Sequence, residues 1–517
     1  MAAPVPPRSR HARFGIGLLS ALLPGLGHLA TGRRRPAAVF LAPVLVAIFV
    51  LGVVVATTDR FSLAASLIDP TVVWGILVVE ALFLVWRLVA VVSSMADRSF
   101  PRLRIGDAIG LIVVLALVVV PQAGLGLVTY AAQQADSEVF AGVPFPSQEP
   151  DATEPAIESP DGSLLPLASP SPSGTPLSPR VTVLLIGVDS GVGRDTAATD
   201  TMIVASLDPV AGTVSMVSVP RDLVDAPLPK GGTFSAKLNG LVSWVRWHPD
   251  QFAGYNGHGQ AVLAYSLGKM LGVHIDYYAQ VDLGGFVQAV NAVGGVDVNV
   301  DHAICDAGYD EYGFNGYAIG AGRHRMSGNA ALAYARIRKS VGESDFTRAA
   351  RQQQVVVALK DKVVRGGFLD DPVGLLQAIG KTVQTNIPPA VVRDLAPLAG
   401  EIGSKDIYKT VIDHPLVRSG FDARGSIQLP DFPKIAALGA GMFTTVGTRP
   451  PDRYVSKAPT ATAKGPARAA PSCSAPPKPK PKPTPRPTPK PTPEPTAEPS
   501  PIPTDSPPPD PSASFGP

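Results

Sequence analysis

Residues 181–209 read VTVLLIGVDSGVGRDTAATDTMIVASLDP. The run from Val181 to Gly187 is apolar, as in a buried strand, and a second such run follows Asp200. Between the runs lie Asp189, Asp195 and Asp200, with Arg194 as the nearby cation. Such a loop is either a plain polar connection or a place that holds something positive. After the turn PVAG, the run GTVSMVSV completes a hairpin-like pattern. Further along, YYAQVD and VDVNV read as strands, and LGGFVQAVNAVGG between them as a helix ending at Gly294. QAVLAYSLGKMLG and RQQQVVVALKDKVV have helical periodicity. Strands and helices alternate, so this part of the chain is α/β with a layered sheet.

The 517 residues are unevenly composed, with 45% hydrophobic residues, 17% charged residues and 55 prolines. No single globular domain has that profile. The net charge of +3 is small and dispersed, giving no footprint of nucleic-acid binding. Two cysteines, Cys305 and Cys473, lie far apart, and their number leaves their pairing open.

Four apolar segments precede residue 135: Phe14 to Ala30, Ala37 to Ala56, Thr71 to about Val92, and Ala108 to Val128. A spanning helix needs about 20 apolar residues. The second and fourth meet that length cleanly. The third carries Glu80 and Arg87, charges expected to face a partner helix or to snorkel. The first is short and interrupted by Pro24, Gly25, Gly27 and His28. Arg8, Arg10 and Arg13 precede it and Arg33, Arg34 and Arg35 follow it, so both flanks favour the cytoplasm. It therefore reads as re-entrant or interfacial, or else as a fourth span. Three spans across residues 1–132 would make this a multi-pass cell-membrane protein, with everything beyond residue 130 on the outer face. A cleaved signal peptide does not suit apolar segments that continue past any cleavage point.

Residues 133–179 are rich in Pro, Ser and acidic side chains and read as a disordered linker. Residues 180–449 have globular composition. Residues 450–517 read as a disordered Pro-rich tail, extended and mildly basic, serving as a passive tether, spacer or wall-contacting arm.

Three motifs carry chemistry. Asp189 ends one strand and Asp200 starts the next. Two such carboxylates suit Mg²⁺, which binds through one or two carboxylates plus waters and substrate phosphates, although aspartates beside strands are commonly turn residues. Pro220, Arg221 and Asp222 follow a strand, and a fixed turn there would project an arginine suited to bidentate phosphate recognition. Arg336 and Arg338 would share a face of an extended segment. Arg348, Arg351 and Gln352 share a helix face, with Asp345 placed to cap the helix start. Arginines near a helix N-terminus favour an anion, and no acidic residue occurs from Phe346 to Lys360. A cation site with phosphate-binding arginines is what phosphoryl transfer uses.

In order, LLIGVDS, TDTMIVASLDP, VSMVSVPRDL, KLNGLV, YYAQVDLGGFVQAVNAVGGVDVNV, GNAALAYARIRKS and DFTRAARQQQVV resemble the LytR-CpsA-Psr family over roughly residues 181–365. The resemblance implies an αβα sandwich with a hydrophobic tunnel for lipid. It also implies a membrane-anchored, Mg²⁺-dependent phosphotransferase that moves a glycopolymer from a polyprenyl-pyrophosphate carrier to peptidoglycan through a phosphodiester. By position, Asp189 and Asp200 match the metal ligands. Arg221 matches the arginine of the Pro-Arg-Asp turn. Arg336, Arg338, Arg348 and Gln352 match pyrophosphate contacts, with Arg221, Arg338 and Arg348 in the catalytic role. Lys237 and Asn239 match a Lys-x-Asn element on the substrate side. Two positions depart from the family: Ala198 stands where an arginine is usual, and Thr347 where glycine is usual. Arg194, from the same loop as Ala198, is the candidate substitute. The alternatives are a non-catalytic binder of polyprenyl phosphate or wall polymer, a lipid-pyrophosphate hydrolase, and a membrane-bound transcriptional regulator. The outward topology argues against the last.

Overall fold

The computed structural model describes residues 10–58, 70–96, 105–139, 142, 144–145, 180–189, 198–255, 257–366, 380, 383–456, 468–471 and 473. Arg194 and Asp195 lie outside these residues, as do most of the expected linker and tail.

The N-terminal region holds α1 (Arg10–Leu22), α2 (Leu26–Ala30), α3 (Arg34–Thr57), α4 (Pro70–Met95) and α5 (Ile105–Val139). Segments within α3, α4 and α5 are long and apolar enough to cross a membrane. At about 1.5 Å per residue, the 13 residues of α1 fall short of that length. The break after α1 falls at Gly25, whose φ of 98° is left-handed. A side chain there would also strike the backbone oxygen of Ala37, 2.7 Å from an ideal Cβ. Two arginines of this region reach partner helices. Arg87 donates to Gln122 Oε1 at 3.2 Å and to the carbonyl of Ala21, and Arg13 pairs with Asp107 at 3.2 Å.

Helix α5 runs on to Val139, past the expected linker boundary at 133. The backbone N–H of Gly142 then donates to Thr385 O at 3.1 Å, and Phe145 stacks on Tyr278. Gly142 and Phe145, inside the expected disordered linker, thus contact the α/β domain.

That domain begins with β1 (Val181–Asp189), β2 (Ala198–Asp208) and β3 (Thr213–Ser218), followed by the short β4 (Ala226–Pro227) and β5 (Thr233–Phe234). Next come α6 (Leu241–Trp247), α7 (Gly259–Leu271), β6 (Tyr277–Asp282), α8 (Leu283–Ala292) and β7 (Val296–Val300). They lead into β8 (Ile304–Asp306), β9 (Tyr317–Ile319), β10 (Gly322–Met326), α9 (Gly328–Arg336) and α10 (Asp345–Val364). The last elements are β11 (Val383–Thr385), α11 (Pro389–Glu401), β12 (Ile407–Val411), β13 (Val417–Asp422), β14 (Gly425–Pro430) and α12 (Phe432–Met442).

The main sheet is mixed, in the order β11-β6-β1-β2-β3-β12. The hairpin expected from PVAG is present, β2 and β3 pairing antiparallel from Ile203↔Ser218 to Asp208↔Thr213. β1 runs parallel to β6 and antiparallel to β2, which puts it near the sheet centre. Its side chains alternate between two buried layers. Leu184, Ile186 and Val188 face Leu263, Leu267, Leu271, Ile435 and Leu438, from α7 and α12. On the other face, Leu185 joins Ile203, Met216, Val357, Leu398 and Ile407, which brings in α10 and α11. The domain is thus an α/β sheet with helices on both faces. A second core under the β7–β10 ribbon gathers Val290, Val298, Tyr317, Tyr334 and Val355. VDVNV is a strand as expected, but it pairs with β10 outside the main sheet.

Order continues past residue 450. Ser456 N–H donates to Lys409 O at 2.8 Å, and Cys473 is disulfide-bonded to Cys305.

Candidate functional site

The site residues converge on one end of the main sheet. β1 ends there at Asp189, and the antiparallel β2 begins there. The pairing passes from Gly187↔Thr201 to Val188↔Thr199, so Asp200 is the extra residue of a β-bulge. The bulge re-aims the Asp200 carboxylate, and Arg221 donates to its Oδ1 at 2.7 Å. Gly187 permits the close crossing, since an ideal Cβ there would sit 2.9 Å from Thr201 Cβ.

Strand β3 leads into the Pro220-Arg221-Asp222 turn at the same end. Asp222 is buried, 3.0 Å from Lys237 Nζ and 3.8 Å from Arg221 Nε. The next segment is tied to the turn through its backbone. Leu238 N–H donates to Leu223 O, Asn239 N–H donates to Arg221 O at 3.1 Å, and Thr199 Oγ1 donates to Asn239 O at 3.3 Å. Lys237 and Asn239 are therefore brought to Arg221, although they lie far from it in sequence.

The remaining arginines arrive from α9 and α10. Arg336 is the last residue of helix α9, and only the following Ile337-Arg338 segment leaves the helix. This differs from the extended segment expected for both arginines. Ala331, Leu332 and Ala335 are buried at helical spacing, and their packing outweighs the local strand-like pattern. Arg336 NH2 is 3.5 Å from Asp189 Oδ2 and 3.1 Å from Glu311 Oε2. Arg338 is the most exposed of the set and lies 3.8 Å from Asp345. Arg348 is buried, with NH1 3.2 Å from Asp345. Gln352 donates to Ala335 O at 3.4 Å, which ties α10 to the end of α9.

The start of α10 departs from expectation in two ways. Its cap is Ser344, not Asp345. Thr347 N–H donates to Ser344 Oγ at 3.2 Å, and Ser344 N–H donates to Thr347 Oγ1 at 2.8 Å. Thr347, the departure from the family's glycine, thus completes a capping box. Arg351 also leaves the expected basic face. It is buried, ion-paired to Glu343 at 2.9 Å, and lies over the ring of Tyr334.

The electrostatics mark Arg221 and Arg348. Burial alone would lower the Arg221 pKa, but Asp200 and Asp222 raise it overall. For Arg348, burial and then the nearby Arg221 push the pKa down to about 10. Burial and the Arg221 charge both disfavour the Arg348 cation, and an anion bound against it would offset both.

Ala198 pairs directly with Asp189 across β1 and β2. Its methyl group offers no charge to Asp189, and Arg336 reaches that carboxylate from a distant helix. Sequence reasoning did not single out Glu311, Glu343 or Ser344. The Ser-x-x-Thr pattern was a readable cap signal, whereas no local pattern points to Glu311.

The family model described as the LytR_cpsA_psr family matches residues 171–423. A Bacillus cereus (strain AH820) protein named polyisoprenyl-teichoic acid–peptidoglycan teichoic acid transferase TagU is 31% identical over 250 residues, which cover 48% of this chain and 73% of that protein. The chain belongs to the LytR-CpsA-Psr family. The Bacillus mycoides (strain KBAB4) protein of the same name is 34% identical over 210 residues, 41% of this chain, and the chain spans 61% of that relative's length. A crystal structure of Bacillus subtilis TagV aligns at 25% identity with a TM-score of 0.39, covering 50% of this chain and 96% of that one. The family matches fall on the α/β domain, and the membrane-length helices precede them.

Proposed function

We propose that this LytR-CpsA-Psr protein is a phosphotransferase of cell-wall assembly. It moves a glycopolymer from a polyprenyl-pyrophosphate carrier to peptidoglycan through a phosphodiester. The observation that carries this reading is the buried Arg348 beside Arg221, at the sheet end where Asp189 and Asp200 also lie. Relatives named as teichoic acid transferases support the class of reaction. In this reading α3, α4 and α5 anchor the chain as a multi-pass protein, and the α/β domain works on the outer face.

Arg221, Arg336, Arg338 and Arg348 hold the pyrophosphate, with Gln352, Lys237 and Asn239 bordering it. Arg194 is kept as a contact from the β1–β2 loop. An acceptor hydroxyl attacks the sugar-linked phosphorus, and the bond to the polyprenyl phosphate breaks. The arginines neutralise the charge that gathers on the leaving phosphate. The hydroxyl proton passes to a carboxylate beside Arg221, either Asp200 or Asp222. The donor chemistry at Asp189 and Asp200 fits Mg²⁺, since two hard carboxylates leave room for waters and phosphate oxygens. Among the described residues no cluster of three or more ligand side chains offers an all-protein metal cage. Bound there, Mg²⁺ would add charge neutralisation at the phosphates. The lipid tail would run in a tunnel bordered by apolar residues of α7 and α8.

The test is transfer by the purified full chain, supplied with lipid-linked glycopolymer, peptidoglycan and Mg²⁺. Asp189→Ala or Arg338→Ala is expected to abolish polymer-linked peptidoglycan while leaving thermal melting intact. Retained transfer by either variant would remove that residue from the chemistry. Release of free polymer without a peptidoglycan product would indicate a hydrolase. Ala198, in place of the usual arginine, favours a second reading, a non-catalytic binder. Pyrophosphate binding by the wild-type chain with no turnover would establish it.

A further inference from the structure

Glu311 has no role in the chemistry above, yet it touches a residue central to it. It lies in the hairpin loop between β8 and β9, and its Oε2 is 3.1 Å from Arg336 NH2. The same nitrogen is 3.5 Å from Asp189 Oδ2. A guanidinium placed to receive a phosphate is therefore already shared by two carboxylates. Asp189 has a second claim as a cation ligand, whereas Glu311 has none.

The loop backbone is held by hydrogen bonds, whereas the Glu311 carboxylate is held through its ion pair with Arg336. Phe314 N–H donates to Glu311 O at 3.1 Å. Tyr312 takes a left-handed φ of 55°, and its carbonyl accepts from Asn329 Nδ2 at 3.1 Å. The Tyr312 ring lies 5.9 Å from the Arg336 guanidinium. Tyr309, Phe314 and Tyr317 pack against one another beneath the loop, and Cys305 at its root is joined to Cys473. The Glu311 side chain is 40% exposed and has room to turn outward.

We infer that Glu311 is an internal counter-anion, a positioning residue that holds Arg336 until a pyrophosphate oxygen displaces it. A ligand must outcompete a carboxylate to gain this arginine. A multiply charged diphosphate does so, and a neutral glycan does not. Glu311 thereby sets the affinity of the site and its preference for diphosphate. The inference rests on the pyrophosphate reading proposed above.

The experiment is calorimetric binding of inorganic pyrophosphate to the full chain in detergent micelles. The variants are Glu311→Gln, Arg336→Ala and the double substitution. Glu311→Gln is expected to bind about threefold more tightly, the scale of a partly exposed ion pair, and to have no effect in the Arg336→Ala background. A purely structural role would not produce that dependence on Arg336. Equal or weaker binding by a Glu311→Gln protein that melts like the wild type overturns the inference, as does a gain that persists without Arg336. Glu311→Ala provides the same comparison if the glutamine variant misfolds. If the wild type binds pyrophosphate and Glu311→Gln changes nothing, only this inference fails. If the wild type binds no pyrophosphate, the functional reading fails with it.

Discussion

Arg348 is the residue on which the site turns. It is 5% exposed, and its Nε lacks a hydrogen-bond partner among the described residues. A buried cation beside another cation is costly unless an anion arrives. With its pKa pushed to about 10 from the ordinary 12.5, Arg348 is charged at neutral pH. An anion bound against it raises that pKa again. The affinity Arg348 supplies is therefore fully present below about pH 10 and declines as pH rises above that value toward the higher pKa of the anion-bound state. Calorimetry of pyrophosphate binding across that range should show the decline. An affinity unchanged well above about pH 10 would remove Arg348 from the contact. The sequence placed Arg348 in an anion site through its helix position and the missing acidic residues. It placed Arg351 there too, because a shared helix face does not reveal that Glu343, just before the helix start, pairs with it.

At the scale of elements, the start of α10 decides how firmly Arg348 is held. Ser344 has φ −150° and ψ 175°, the non-helical geometry of a cap, and its hydroxyl accepts from Thr347 N–H. Thr347 Oγ1 also donates to Glu343 Oε2 at 2.6 Å, which links the cap to the buried Glu343–Arg351 pair. Ser344→Ala should cost about 1 kcal/mol of stability. Thr347→Gly, which restores the usual family residue, should cost a similar amount through glycine's poor helix propensity and the lost reciprocal bond. Denaturant midpoints would measure both, and an unchanged midpoint would deny the cap its weight. The hairpin β2–β3 and helix α8 were legible because turn residues and periodicity are local signals. Helix α9 was not, since Arg336-Ile337-Arg338 carries a strand-like pattern and its helical state comes from packing.

Across the whole molecule, the Cys305–Cys473 bond joins residues 168 positions apart. It ties Cys473, beyond the expected domain end at 449, to Cys305 at the root of the loop bearing Glu311. A cross-link over so long a loop is worth roughly 2–4 kcal/mol, chiefly by restricting the unfolded chain. The full chain in detergent should therefore melt at a lower temperature with reductant present or as the Cys305→Ser, Cys473→Ser double variant. Coincident melts would show that the bond contributes nothing to stability. In the N-terminal region, Arg87 finds partners on neighbouring helices, the arrangement expected of a charge in a membrane-length segment.

The sequence by itself determined the α/β class and the three membrane-length apolar helices, and it named most of the residues proposed for the site. Apolar runs, periodicity and ordered motifs are properties of neighbouring residues. Only the tertiary structure decided the rest. It set Asp200 in a bulge facing Arg221, brought Arg336 to Asp189, and paired the two cysteines. It also brought Glu311 to the arginine cluster. Each of these depends on side chains distant in sequence meeting where strands end, and local pattern carries no record of such meetings.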